Sequence, residues 1–355
     1  MKPINVLVVD DSAFMRKYIS DILASDKRIA VIGTARNGID AFEKVKQLTP
    51  DVVTMDVEMP VMDGLDAVKL IMKECAVPVI MLSSSTKKGA DSTIQAMSFG
   101  AVDFIEKPSG AISLDLKKIQ DELIEKVMMA AFIKPAESHL HDGKTDLSPA
   151  PPEKTRKNKK QGTPVVLIGT STGGPRALQT VLSSLPGDLD APVAVVQHMP
   201  AGFTASLAQR LDSLSELRIK EAEHLEVLNK GSVYIAPGGY HLTLQEVSGQ
   251  LVAHLDKEEP ILGHRPSVNA LFESAAQLHD YRKVAVVMTG MGSDGTEGLH
   301  KLKQSGNTAV IAESEESCVV YGMPKSVVSA GLAKKIVHVN HIAMHILHVL
   351  ETGDE

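Results

Sequence analysis

Short runs rich in Val and Ile recur along the chain, separated by stretches whose apolar residues return at helical spacing. The runs Val6–Val9, Val31–Thr34, Val52–Met55, Val79–Leu82 and Val102–Ile105 predict strands. Between them the spacing predicts helices over 14–25, 38–48, 64–74 and 88–99. A last helix over 114–131 carries Leu116, Ile119, Leu123, Val127 and Ala131 along one face. Strict alternation of strand and helix predicts a parallel sheet covered by helices, a flavodoxin-like doubly wound domain. The pattern resumes with Val165–Ile168, Val193–Gln197 and Val284–Met288, and a probable hairpin spans Tyr234–Leu255. A C-terminal strand and helix follow, so the second half is expected to be a second doubly wound, Rossmann-like domain carrying a β-hairpin. The fold class is α/β.

Residues 134–163 interrupt this pattern. They hold no Val, Ile, Phe or Met, and prolines stand at 135, 149, 151 and 152. The segment closes on the basic cluster Lys154, Arg156, Lys157, Lys159 and Lys160. Such a composition buries too little apolar area to offset its ordering entropy, which makes it a linker between domains at 1–133 and 164–355. As a flexible coil it would span roughly 30 Å, enough for the domains to dock or separate. A length of 355 residues agrees with two domains.

Hydrophobic residues at 43% and charged residues at 23% describe an ordinary soluble globular protein. A net charge of −7 argues against a nucleic-acid binder, and 164–355 contain no helix-turn-helix candidate or basic face. Cys75 and Cys318 lack metal or redox spacing and are expected to be buried thiols in a reducing compartment. The first apolar run is strand-length and followed at once by acids, unlike a signal peptide. No stretch approaches the roughly 18 apolar residues of a membrane span. A cytoplasmic protein with no membrane insertion is expected, and nothing in the sequence demands more than a monomer.

Candidate chemistry gathers at strand ends. Asp10 and Asp11 close the first strand, Asp56 the third, Ser83 follows the fourth and Lys107 the fifth. In a parallel sheet these positions share the carboxyl edge, where such folds place their sites. Three adjacent carboxylates repel unless a hard cation joins them, which points to Mg²⁺. A carboxylate so placed can accept a phosphoryl group whose charge the metal and Lys107 neutralise.

In the second domain, Ile168-Gly-Thr-Ser-Thr-Gly-Gly174 puts Ser171 on a glycine-flanked turn after a strand, matching the nucleophile elbow Gly-x-Ser-x-Gly. His198 follows the strand 193–197, and Asp294 leaves the glycine-rich turn after the strand 284–288. Singly, these read as a structural histidine and a helix N-cap. Together, three carboxyl strand ends deliver a nucleophile, a base and an orienting acid. The backbone N–H of Thr172 is an oxyanion donor, and the loop 290–292 can present a second. The chain order Ser…His…Asp differs from the Ser…Asp…His of α/β hydrolases. A phosphate-cradling dinucleotide turn at 169–174 is the competing reading, weakened by its Gly-x-x-x-Gly-Gly spacing. His341, His345 and His348 have helical spacing but no carboxylate partner, which favours a solvated helix face.

Over roughly 1–125 the chain resembles the response-regulator receiver domain, through Asp10-Asp11, Asp56 in Met-Asp-Val-Glu-Met-Pro-Val-Met-Asp-Gly64, Ser83 and Lys107-Pro108. That resemblance implies phosphorylation at Asp56, with Mg²⁺ held by Asp11, Asp56 and the backbone carbonyl of Glu58. Asp10 would assist mainly through water and Ser83 would bond the phosphoryl group. Phe104 occupies the aromatic switch position or is a plain core residue. With Val-Gln-His-Met-Pro, Ile-Ala-Pro-Gly-Gly-Tyr-His, Gly-His-Arg-Pro-Ser-Val and Met-Thr-Gly-Met-Gly-Ser-Asp-Gly added, the whole chain except the linker resembles the chemotaxis receptor-glutamate methylesterase family. The resemblance implies hydrolysis of glutamate methyl esters on methyl-accepting chemotaxis receptors, releasing methanol, and deamidation of selected receptor glutamines. Ser171 would be nucleophile, His198 base, Asp294 orienting acid and the Met291 N–H an oxyanion donor. His264 and Arg265 would line the substrate cleft, and a chemotaxis histidine kinase would be the phosphodonor. No cofactor is implied for the ester chemistry. The alternative is a non-enzymatic response regulator whose output domain binds a nucleotide or a protein.

Overall fold

The structure is a computed structural model and describes residues 2–84, 86–107, 114–133 and 162–353, with the backbone alone for 114–118. The expected linker therefore lies outside the described residues apart from 162 and 163, as do Pro108 and the side chain of Leu116.

In the first unit, strands β1 (Ile4–Val9), β2 (Ile29–Ala35), β3 (Val52–Asp56), β4 (Val79–Ser83) and β5 (Asp103–Glu106) pair in the order β2-β1-β3-β4-β5, all parallel. Helices α1 (Ala13–Ala24), α2 (Gly38–Leu48), α3 (Gly64–Glu74), α4 (Lys87–Ser98) and α5 (Leu114–Ala130) cover the two faces. Each helix start from α1 to α4 has a polar cap. Ser12, Asn37, Asp63 and Thr86 accept from the backbone N–H three residues on, which satisfies donors that the first turn cannot pair internally. The order is the flavodoxin-like one, whose switch point lies between β1 and β3.

The second unit holds one parallel seven-stranded sheet. Its strands are β6 (Thr163–Thr170), β7 (Val193–Gln197), β8 (Arg218–Glu221), β9 (Ser232–Ile235), β12 (Tyr281–Val287), β13 (Thr308–Glu313) and β14 (Lys335–Val337). They run in the order β14-β13-β12-β6-β7-β9-β8, so the direction of winding reverses between β6 and β12. Around the sheet lie α6 (Gly174–Leu182), α7 (Phe203–Asp212), α8 (Val268–Ala275), α9 (Thr296–Gln304), α10 (Met323–Ser329) and α11 (Val339–Thr352).

The expected hairpin is real but shorter. It comprises β10 (His241–Val247) and β11 (Gln250–Asp256), paired antiparallel. Tyr234 instead belongs to β9, which lies parallel between β7 and β8 in the main sheet. The Pro237-Gly238-Gly239 turn separates the two elements, since proline has no N–H to continue a ladder.

The two units pack together. Apolar side chains of both join one cluster, with Ile94, Met97 and Phe104 on one side and Leu178, Phe203 and Leu207 on the other. Helix α4 packs against α6 and α7. Among the described residues no helix is long and apolar enough to cross a membrane.

Lys283 is fully buried in β12, and among the described residues its Nζ has only Ser305 Oγ at 3.5 Å as a hydrogen-bond partner. Burial pushes this ammonium below its ordinary 10.5, because desolvation disfavours the charged form. A lowered folded value makes charged Lys283 a cost at neutral pH, one that fades as pH rises through the lowered value toward 10.5. Lys283→Met should therefore raise stability by about 1 kcal/mol or more at pH 7. The gain should shrink toward pH 10 in urea titrations, and an unchanged or lower midpoint at pH 7 would contradict this.

Candidate active site

Two carboxyl edges carry the polar groups of interest. In the first unit, Asp10 is fully buried, Asp56 nearly so, and Asp11 exposed. Oxygens of these three carboxylates lie within 4.8 Å of one another. Lys107 Nζ bridges Asp10 Oδ2 at 2.7 Å and Asp56 Oδ1 at 2.8 Å. Burial pushes Asp56 up to about 6, with Asp10 adding to the effect and Lys107 opposing it. Burial also works against the Lys107 charge, yet its two carboxylate hydrogen bonds hold it above the ordinary value. Ser83 is buried at the end of β4 and accepts from Thr93 Oγ1 at 2.7 Å. The strand ends thus bring together Asp10, Asp11, Asp56 and Lys107. The Glu58 N–H donates to Asp56 Oδ1 at 3.4 Å, which ties that turn to the same carboxylate.

In the second unit, Ser171 follows β6 at the point where the sheet reverses its winding, the usual crevice of an open α/β sheet. Its N–H donates to the Thr289 carbonyl at 3.0 Å, so the turns after β6 and β12 are tied together. A Cβ at Gly290 would come within 2.8 Å of Ser171 Cβ, and only glycine admits that approach. His198 follows β7, and its Nε2 lies 2.8 Å from Asp294 Oδ2. His198 Nδ1 is buried and has no hydrogen-bond partner among the described residues. The His264 ring stacks on His198 with centroids 3.8 Å apart and planes within 10°. Arg265 turns its Nη1 to the carbonyls of Lys257 and Glu258 at 3.1 and 2.8 Å.

Asp294 does not cap the helix it precedes, since Gly295 stands at the N-cap of α9. Its carboxylate accepts from the Gly295 N–H at 3.0 Å and mainly from the N-terminus of α8, through Ser267 Oγ and the N–H groups of Val268 and Asn269 at 2.7–2.9 Å. Burial works to raise Asp294, but His198 and those donors outweigh it and hold the carboxyl below its ordinary 3.8. A helix N-terminus favours an anion through its unpaired N–H groups and its dipole.

Sequence reasoning passed over Thr289 and Glu313. Glu313 Oε2 accepts from the Thr289 N–H at 2.8 Å, and Thr289 Oγ1 donates to the Thr172 carbonyl at 2.9 Å. Burial raises the Glu313 carboxyl. An acid ending a strand-like run was the available signal, but only the neighbouring turn shows what it holds.

The comparisons agree with this geometry. Residues 166–346 match the family model for CheB methylesterase, and residues 6–118 that for the response regulator receiver domain. A protein-glutamate methylesterase/protein-glutamine glutaminase of Geobacillus kaustophilus is 54% identical over 99% of both chains. One from Bacillus subtilis is 53% identical over 97% of both. The chain belongs to the protein-glutamate methylesterase/protein-glutamine glutaminase family. The crystal structure of the Thermotoga maritima CheB methylesterase catalytic domain superposes with a TM-score of 0.51 at 47% identity. It covers 52% of this chain and 97% of its own. A receiver joined to a chemotaxis methylesterase domain is thereby established, and the non-enzymatic output domain is not favoured.

The receiver meets the methylesterase domain beside the Ser171 turn. Thr172 Oγ1 donates to Asp103 Oδ2 of β5, and Phe104 stacks on Phe203 with centroids 4.5 Å apart. Lys126 of α5 braces the contact by bonding Asp103 Oδ1 and the Phe104 carbonyl. Phe104 is buried, so as a core residue it belongs to the interface rather than to the receiver alone.

Asp294→Ala in this methylesterase should cost stability as well as activity, because three donors of the α8 N-terminus and His198 lose their acceptor. A loss of about 3 kcal/mol is expected at neutral pH. Because the folded pKa is lowered, that contribution is present above the ordinary 3.8 and lost as pH falls through the folded value. The gap between wild type and variant in denaturant titrations should therefore close at acid pH. A variant as stable as wild type at pH 7 would show that Asp294 holds nothing together.

Proposed function

We propose that Ser171, His198 and Asp294 form the catalytic triad of a methylesterase and glutaminase acting on methyl-accepting chemotaxis receptors. The observation that carries this reading is the bond between Asp294 Oδ2 and His198 Nε2 at the carboxyl edge beside Ser171. With Nε2–H given to the carboxylate, Nδ1 carries the lone pair and is the base, the reverse of the nitrogen assignment in chymotrypsin-like proteases. Ser171 Oγ attacks the ester carbonyl as its proton passes to Nδ1. The Thr172 and Met291 N–H groups hold the resulting oxyanion. Collapse expels methanol, or ammonia from a glutamine, which takes the proton from His198. Water, deprotonated by His198, then attacks the acyl-enzyme, the acyl–Oγ bond breaks, and His198 returns the proton to Ser171 Oγ, leaving a glutamate carboxylate once the new acid ionises. The lowered Asp294 carboxyl supports this role, since it stays ionised to stabilise the imidazolium.

Asp56 is the phosphoryl acceptor in this reading, with a chemotaxis histidine kinase as donor. The residues present fit Mg²⁺: Asp11, Asp56 and the Glu58 carbonyl would hold it, and Asp10 would act through water. The ion supplies charge neutralisation for an incoming phosphoryl group, while Lys107 and Ser83 would bond its oxygens. A phosphoryl group adds about −1.5 to −2 charge at Asp56. Lys107 would then be drawn from Asp10, and the Ser83–Phe104 face would rearrange against Phe203, opening the methylesterase domain to receptor.

Methanol release from methylated receptor, with and without a small-molecule phosphodonor, tests both halves. Ser171→Ala should lose on the order of 10⁴-fold or more in turnover, and near-normal hydrolysis by it would remove the triad. Deleting residues 1–133 should raise basal hydrolysis, whereas a fragment no faster than the unphosphorylated full chain would refute gating. Asp56→Asn should keep basal activity and ignore the phosphodonor.

A further inference from the structure

Gln197 is the last residue of β7, nearly fully buried, and pairs in register with Thr170 across the sheet. Its Nε2 donates to the Ser171 carbonyl at 2.9 Å and to the His198 carbonyl at 3.0 Å. One side-chain amide thus joins the turn that carries the nucleophile to the turn that carries the histidine. Its Oε1 is buried without a hydrogen-bond partner among the described residues. Exchanging the two amide atoms would set that oxygen against two carbonyl oxygens, so the bonds fix the orientation of the carboxamide. A Cβ on Gly174 would fall 1.9 Å from Oε1, so the glycine at this position leaves room for the carboxamide.

The consequence concerns the peptide between Ser171 and Thr172. In a planar trans peptide the carbonyl and the N–H point in opposite directions. The Ser171 carbonyl is held by Gln197 Nε2 and by the Gly174 N–H at 2.8 Å, one donor for each of its lone pairs. With that oxygen anchored in the interior, the Thr172 N–H is turned the other way, toward the cleft.

We infer that Gln197 is a positioning residue for the ester hydrolysis, aiming the Thr172 N–H at the oxyanion and holding the Ser171 and His198 turns at a constant separation. This rests on the triad reading above. It touches no reacting atom and acts through the main chain.

The test uses the full-length chain, phosphodonor and methylated receptor, with methanol release measured for wild type, Ser171→Ala, Gln197→Met and Gln197→Glu. Both Gln197 variants keep the side-chain length and remove the donating amide. The expected result is a fall in kcat of about 10-fold to 10²-fold with KM within about twofold, since an oxyanion donor acts in the transition state. Gln197→Glu adds a readout that loss of packing cannot mimic. Once protonated its carboxyl regains an O–H donor, so its rate relative to wild type should climb as pH falls. If Gln197→Met unfolds at the assay temperature, Gln197→Glu carries the test alone. Wild-type kcat in a folded variant, or a relative rate for Gln197→Glu that does not change with pH, would overturn the inference. An inactive Ser171→Ala beside fully active Gln197 variants would sink this inference and spare the triad, whereas an active Ser171→Ala would sink the triad itself.

Discussion

The Asp294 carboxylate is the junction on which the second unit's edge is built. It receives His198 Nε2 on one side and, on the other, Ser267 Oγ with the N–H groups of Val268 and Asn269. A buried anion survives only where donors replace its lost hydration. Here the start of α8 supplies them, so the charge that orients the histidine is paired by secondary structure rather than by a cation. Asn269 extends the junction by accepting from the Gly295 and Gly298 N–H groups, which fixes α9 against α8. The acid, two helix starts and the histidine are therefore joined in one hydrogen-bonded unit.

Around that junction the backbone of the Ser171 turn is held from both flanks. Thr289 receives its N–H and grips the Thr172 carbonyl, while Gln197 grips the Ser171 carbonyl. The turn's peptide groups are consequently held in one orientation by partners on both sides. The same turn meets the receiver, because Thr172 donates its hydroxyl to Asp103. Strand β5 therefore touches the methylesterase domain at two points, through Asp103 and through the Phe104–Phe203 stack.

The two units solve a similar problem in opposite ways. The first crowds Asp10, Asp11 and Asp56 together, sets Lys107 between Asp10 and Asp56, and leaves Asp56 raised to about 6. The second surrounds one carboxylate with donors and drives it down. Burial dominates at the first carboxylate, whereas hydrogen-bond donors dominate at the second.

Much of this was legible in the order of residues. Strand-length apolar runs each ending in a polar side chain place Asp10, Asp56, Ser171 and His198 at carboxyl edges, since parallel strands all point one way. The motifs around them were specific enough to indicate the family. Tyr234 was assigned to the wrong element because a run of alternating residues does not reveal which neighbour it pairs with. Asp294 was legible as an acid near a helix start, but its position in sequence pointed to α9, and only packing delivered it to α8. The roles of Gln197 and Thr289 carried no readable signal, and Glu313 showed only as an acid closing a strand-like run, because a hydrogen bond to a distant main-chain group depends on which turns the sheet order brings side by side. Local pattern determined the elements and the chemistry at their ends. The tertiary structure decided which ends meet, because strand order and helix docking are set by burial across the whole sheet.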